Sequence, residues 1–187
     1  MITQAYYKFK NAMKALTYRG VSSSSDNFTA TLTGVKNTSN TDALVSNGII
    51  NYNNDWLSDE IRLFNANMDT DSINKIIPST SVTEDFAATD YDIGSKVVNI
   101  TQVSCINSVI DTENGSQNTV TATFSNTNVD DITINSIGLV HSHLYKSKVS
   151  ASDSYTDILF AEIELSEPLV VPAGTGFTIS AVWNNNR

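Results

Sequence analysis

Two histidines, His141 and His143, stand one residue apart with Ser142 between them. Alternate side chains of a strand share a face, so both rings would present together, the arrangement a metal ion asks of two imidazoles. One chain offers too few further ligands to complete such a site, whereas a three-fold assembly would bring six imidazoles to one axis. Without that assembly the pair reads as a polar or partly buried strand end, and no metal or other cofactor is assigned.

The carboxylates lead no further toward catalysis. Asp69 with Asp71, and Asp90 with Asp92, are alternating acids in polar surroundings. Such groups suit calcium, but neither run carries the glycine and the closing glutamate of an EF-hand loop, and both read as solvated loop acids. Glu162 and Glu164 lie two apart on one strand face, a solvated pair with no carboxylate opposite them across a cleft as glycoside hydrolysis requires. There is no Gly-x-Ser-x-Gly elbow for a serine nucleophile, and none of the eight glycines forms a phosphate-cradling cluster. The single cysteine, Cys105, sits in an Ile/Val-rich run and reads as a small buried hydrophobe. The expectation is a protein that is not an enzyme.

The elements around these residues are mostly strands. Asn, Ser and Thr make up about a third of the chain, while charged residues are 17%. Threonine fits a half-buried pleated surface, and 40% hydrophobic content with seven Tyr, seven Phe and two Trp argues against disorder. Phe28, Ala30 and Leu32 alternate with threonines, as do Val120, Ala122 and Phe124, each marking a strand with one buried face. Val97 to Ile106 reads as a long apolar strand, and Glu113 to Asn118 has hairpin-turn chemistry. Ile132 and Ile134 share a parity that Ile137 and Leu139 reverse, which predicts a bulge near Asn135 and Ser136. Leu159, Ala161, Ile163 and Leu165 are expected to face inward, and so are Phe177, Ile179, Ala181 and Trp183. The fold class is mainly β, an antiparallel β-sandwich or jelly-roll-like domain with an N-terminal amphipathic helix.

That helix is read from Ile2, Tyr6, Phe9, Met13 and Leu16, which fall on one face over residues 3–18, with Thr3 as the N-cap. Lys8, Lys10, Lys14 and Arg19 make this end basic, whereas the rest of the chain carries 7 basic against 20 acidic groups. Too short to be stable alone, this helix must pack either on its own domain or on a partner; residues 1–25 are read as a helical docking arm and serine-rich hinge, with Tyr6, Phe9, Met13, Leu16, Lys8, Lys10 and Lys14 as the partner-docking residues. Residues 26–187 form the β-sandwich domain, loop-rich over 36–95 and best defined over 96–187. Within the loop-rich part, 55–64 reads as a helical turn through Leu57, Ile61 and Phe64 in preference to a strand through Ile61 and Leu63, and 78–92 as surface loop of the kind that is functional or ordered by a partner.

The net charge of −9 opposes a sequence-independent grip on nucleic acid. No stretch is long and apolar enough to span a membrane, the start lacks a secretory signal, and one cysteine fits a reducing cytosol. Four sequons, at Asn27, Asn37, Asn99 and Asn114, are then expected to be chance matches.

From Thr123 to Trp183 the order of features resembles the C-terminal β-sandwich domains of tailed-bacteriophage structural proteins. The matching elements are Ile132 to Val140 (ITINSIGLV), Ile158 to Leu165, the Glu167-Pro168 step, the Pro172 to Gly176 turn and the terminal strand. Ser136 stands where that family commonly has an acidic residue. The resemblance covers about a third of the chain and implies a virion component of head, neck or tail, made in the bacterial cytoplasm, homo-oligomeric and bound to other virion proteins. Trimeric phage spikes hold iron on His-x-His pairs along their axis, which is what the His141 and His143 pair would imply in that setting. A second class is a lectin-like or adhesin module recognising host glycans through Tyr52, Trp56, Tyr91 and Tyr155.

Overall fold

A computed structural model of the chain describes residues 2–15, 29–46, 73–113, 115–146 and 153–186. The described elements run α1 (Gln4–Ala15), β1 (Thr29–Lys36), β2 (Asp42–Ser46), β3 (Lys75–Ser79), β4 (Ile100–Thr112), β5 (Gly115–Asn126), β6 (Ile132–Lys146), β7 (Asp153–Val171) and β8 (Gly176–Asn186). All strand pairs are antiparallel, in two three-stranded sheets ordered β3-β6-β7 and β4-β5-β8 and a separate β1-β2 hairpin. The β4-β5 hairpin of one sheet is enclosed by the β3-β6 pair of the other, and the β6-β7 hairpin by the β5-β8 pair. The protein is mainly β and sandwich-like, as the composition and alternation predicted.

Period-two patterning builds the core between the sheets. Val120, Ala122 and Phe124 of β5 and Ile179 and Ala181 of β8 are buried together with Ile134, Ile137 and Leu139 of β6 and Ile158 and Phe160 of β7. Thr119, Thr121, Thr123 and Ser125 occupy the other face of β5. Phe124 and Phe177 are cross-strand partners whose rings stack 5.0 Å apart. The parity slip in β6 is a register shift between Ile134 and Ser136: the facing residues of β7 jump from Leu169 to Glu164. Pro168 lies in the skipped stretch, where its missing N–H interrupts no ladder bond.

Several boundaries differ from the sequence reading. Pro78, expected in a loop, is buried in β3 opposite Ile137. Its carbonyl accepts from Val97 N (2.9 Å), on the side of β3 away from β6, so the residue without an N–H sits where the β6 ladder needs none. Thr112 at the end of β4 is paired to Gly115 at the start of β5, so most of the expected turn belongs to β5. Strand β2 also falls inside the region expected to be loop. At the bulged end of the β1-β2 hairpin, the hydrogen bond from Lys36 holds the Asp42 carboxyl below the usual carboxylate range, with Gly34 N donating to the same group. The turn at 55–64, the hinge at 22–26, Tyr52, Trp56, Asp69 and Asp71 lie outside the described residues.

The sheet β3-β6-β7 is covered on both faces. Leu159, expected to face the main core, turns to the opposite face, where it packs with Val140, Ile77, Phe86 and Ile93. The segment between β3 and β4 forms this cover, and Gly138 makes room for it: a Cβ there would stand 2.9 Å from Ile93 Cδ1. The cover is tied down by Ser79 Oγ donating to Gly94 O (2.6 Å) and by Thr83 N donating to Glu162 Oε1 (3.0 Å).

Candidate functional site

The sequence-predicted residues do not converge on one place. Tyr6 and Phe9 are buried within the chain itself, at 5% and 4% exposure. Thr3 caps α1 as expected, its Oγ1 accepting from Tyr6 N at 3.2 Å. The same hydroxyl donates to Leu159 O, and Thr3 N donates to Phe160 O (2.8 Å), so the residues before the helix extend the outer edge of β7. Ile2 adds a bridge to Ala161. Tyr6 then meets the Phe160 ring edge-on at 4.9 Å. Lys8 is exposed; the side chains of Lys10, Met13 and Lys14, and all of Leu16, lie outside the described residues. The apolar stripe read as a partner-docking face is spent, at Tyr6 and Phe9, on the chain's own core.

His141 lies under the same helix. It is 3% exposed and ringed by Phe9 at 5.5 Å and Tyr6 at 6.3 Å between centroids. His143 continues the strand opposite Thr156, and its side chain lies outside the described residues. Among the described residues, no group of three or more His, Cys, Asp or Glu could hold a metal ion.

The acids also take structural roles. Glu162 was expected to be solvated beside Glu164, yet it is 9% exposed, accepting from Ser136 Oγ (2.7 Å) as well as Thr83 N. The cause is the cover over this face of β7, which periodicity alone does not reveal; Glu164 remains exposed. Asp90 accepts from Ala87 N (2.8 Å) and Asp92 pairs with Lys96 (2.6 Å), so both serve the same cover. Of the aromatics considered for glycan stacking, Tyr155 is 60% exposed on β7 and Tyr91 is half-buried.

What the sequence reading missed is β4. The run Val97 to Ile106 reads as a long apolar strand with no position in a sheet, and β4 is an edge strand with Val103 and Ile106 both 66% exposed and Ile110 59% exposed. The ladder to β5 explains this. Ile106 pairs with Thr121 and Ile110 with Gln117, both on the outward parity, while Cys105 pairs with inward-facing Ala122. The outer face of the sheet thus carries Ser104, Ile106, Ser108 and Ile110 beside a grid of hydroxyls, in which Thr121 bonds Ser180 (2.9 Å) and Thr123 bonds Thr178 (3.2 Å). The detectable signal was that serines alternate with the isoleucines, one residue in two, on the parity that β5 gives to threonine.

Burial pushes the Cys105 thiol above its ordinary range. Less thiolate is then present near neutral pH, and iodoacetamide at pH 8 should alkylate the folded chain more slowly than the urea-unfolded one. Because the unfolded thiol ionises first, stability should also fall as pH rises past the ordinary value of 9.0. Equal alkylation rates in the two states would contradict the inward placement of Cys105.

Fold and site together define an antiparallel, sandwich-like β protein whose unspent surface is a neutral, hydroxyl-rich sheet with an apolar edge. No protein-family model matches the chain, and neither the curated proteins nor the solved structures hold a significant match to it.

Proposed function

We propose that this chain is a structural component of a tailed-phage virion, in the capsid, neck or tail, that works by oligomeric assembly and protein–protein docking. The observation that carries the assembly half of this reading is the exposure of Val103, Ile106 and Ile110 on a sheet edge, in a chain of net charge −9. Contiguous apolar surface of that kind is uncommon on a monomer and is ordinarily covered by a partner. The virion half is supported by the ordered resemblance of residues 123–183 to phage structural domains. It acts without catalysis, nucleic acid or membrane, on sister copies and other virion proteins.

Mass spectrometry of gradient-purified particles, combined with cross-linking, tests this directly. The expected result is peptides of this chain at a fixed stoichiometry, cross-linked to another structural protein. Their absence from purified particles would overturn the reading. The exposed Tyr155 favours a glycan-binding module as the second reading. It would be preferred if glycan-array binding were found and were lost on Tyr155→Ala.

A further inference from the structure

Sheet edges are reactive surfaces, because an unpaired row of N–H and C=O groups is a template for another strand. In the sheet β3-β6-β7 the chain blunts both of its own edges. The β7 edge is taken up by Ile2 and Thr3, through the bridge to Ala161 and the Thr3 N to Phe160 O bond. The β3 edge is taken up by Lys96 and Val97, and Gln102 Oε1 accepts from Ile76 N at 2.9 Å. Among the described residues, no strand pairs with the outer edge of β4, and its ladder to β5 carries one bulge, between Gln102 and Ser104. It has no proline and no lysine, and between Ile100 and Thr112 its one charged residue is Asp111. The opposite edge, β8, exposes one large apolar side chain, Val182.

We propose that β4 is the strand through which two copies of this chain join, antiparallel across a two-fold axis at Ser108. The inference deepens the assembly reading and rests on its claim that the chain works among copies of itself. A two-fold interface must be self-complementary, residue i meeting j and j meeting i. With Ser108 on the axis the outward-facing positions from Ser104 to Thr112 meet like residues, while the inward-facing ones do not. Ser108 meets Ser108, Ile106 meets Ile110, Asn107 meets Val109 and Ser104 meets Thr112, leaving Cys105 opposite Asp111. Two Ile–Ile pairs then flank a Ser–Ser pair on the outer face. A one-residue slip of the axis sets each isoleucine against a serine or a threonine, so the pattern specifies its register.

The scale fits as well. Nine paired residues span about 30 Å and exchange about eight to ten backbone hydrogen bonds, the number carried by a typical protein interface. Two three-stranded sheets become one of six, nearer the usual sheet size. A partner of opposite charge is not called for on a neutral strip, and a second copy supplies the one surface known to match it.

The test uses the full chain. Analytical ultracentrifugation should show a concentration-dependent dimer, weakened about 100-fold or more by Ile106→Lys with Ile110→Lys, which sets lysine against lysine in both pairs. Both positions are exposed, so circular dichroism and the thermal midpoint should stay those of the parent. In a Cys105→Ser background, Ser108→Cys should give a covalent dimer with a short bis-maleimide, while Thr101→Cys, far from the axis, should not. The proposal is overturned if the folded parent stays monomeric, if the double-lysine variant associates as the parent does, or if Cys at 101 cross-links as fast as at 108. Association that survives the lysines in a chain present in particles removes the β4 pairing alone. Pairing at Ser108 in a chain absent from particles removes the virion reading alone.

Discussion

Phe9→Ala should cost about 3–5 kcal/mol of unfolding free energy, enough to consume a large part of a domain's stability. Phe9 is 4% exposed and its ring stands 5.5 Å from that of His141, within the main core. Truncating it removes the apolar area and leaves a cavity between α1 and β6, and a 12-residue helix has little stability of its own to hold the turn in place. Lys8→Ala, one residue away and exposed, should stay within about 0.5 kcal/mol. Urea unfolding of the two variants measures the contrast. A Phe9→Ala change below about 1 kcal/mol would mean that α1 is a detachable arm after all, and that its packing on the sandwich contributes nothing.

The second large effect is expected at Ile93, in the cover over the outer face of β6 and β7. Ile93 is 4% exposed and packs over Gly138 and Leu159, so Ile93→Ala should cost about 3 kcal/mol. Gly138→Ala alone should cost about 1–2 kcal/mol, since its new methyl would stand 2.9 Å from Ile93 Cδ1 and 3.3 Å from Leu159 Cδ1. In the double variant the methyl enters the space that Ile93 vacates. The combined loss should therefore be smaller than the sum of the single losses, by about 0.5 kcal/mol or more. Additive losses would show that the two sites do not share that space. A negligible effect of Ile93→Ala would show that the cover is not seated on the sheet and is available to a partner instead.

Both expectations rest on elements whose partner the sequence left open. The basic amphipathic helix and the long polar segment after Pro78 each carry the marks of elements awaiting a partner, and each is instead seated on the chain's own sheet β3-β6-β7. The histidine pair follows the same course. Two imidazoles spaced for a metal are legible in the sequence, but the rings that enclose His141 come from residues far away in the chain.

Much of the sandwich was legible. The alternation in β5 and β8, the helix cap at Thr3, the bulge after Ile134 and the tight turn at Pro172 to Gly176 all depend on side-chain size, polarity and backbone freedom at adjacent positions. Gly174, at φ 69°, supplies the left-handed residue of that last turn. Such features are local, and local chemistry specifies them. The candidate surface was less legible, because an apolar run such as Val97 to Ile106 reads alike in a central and an edge strand until its neighbours are known.

By itself, then, the sequence determined a mainly β chain with short-range turns and one amphipathic helix, since a period of two and a cap three residues from its donor are written in neighbouring residues. The tertiary structure alone decided which faces and edges were already taken. Thr3 closes the β7 edge across 156 residues, and Glu162 reaches Thr83 across 79. Contacts at those separations depend on how the chain crosses between sheets, which no local pattern encodes. Among the described residues they cover one sheet on both faces and meet both of its edge strands, and leave β4 as an edge strand of the other.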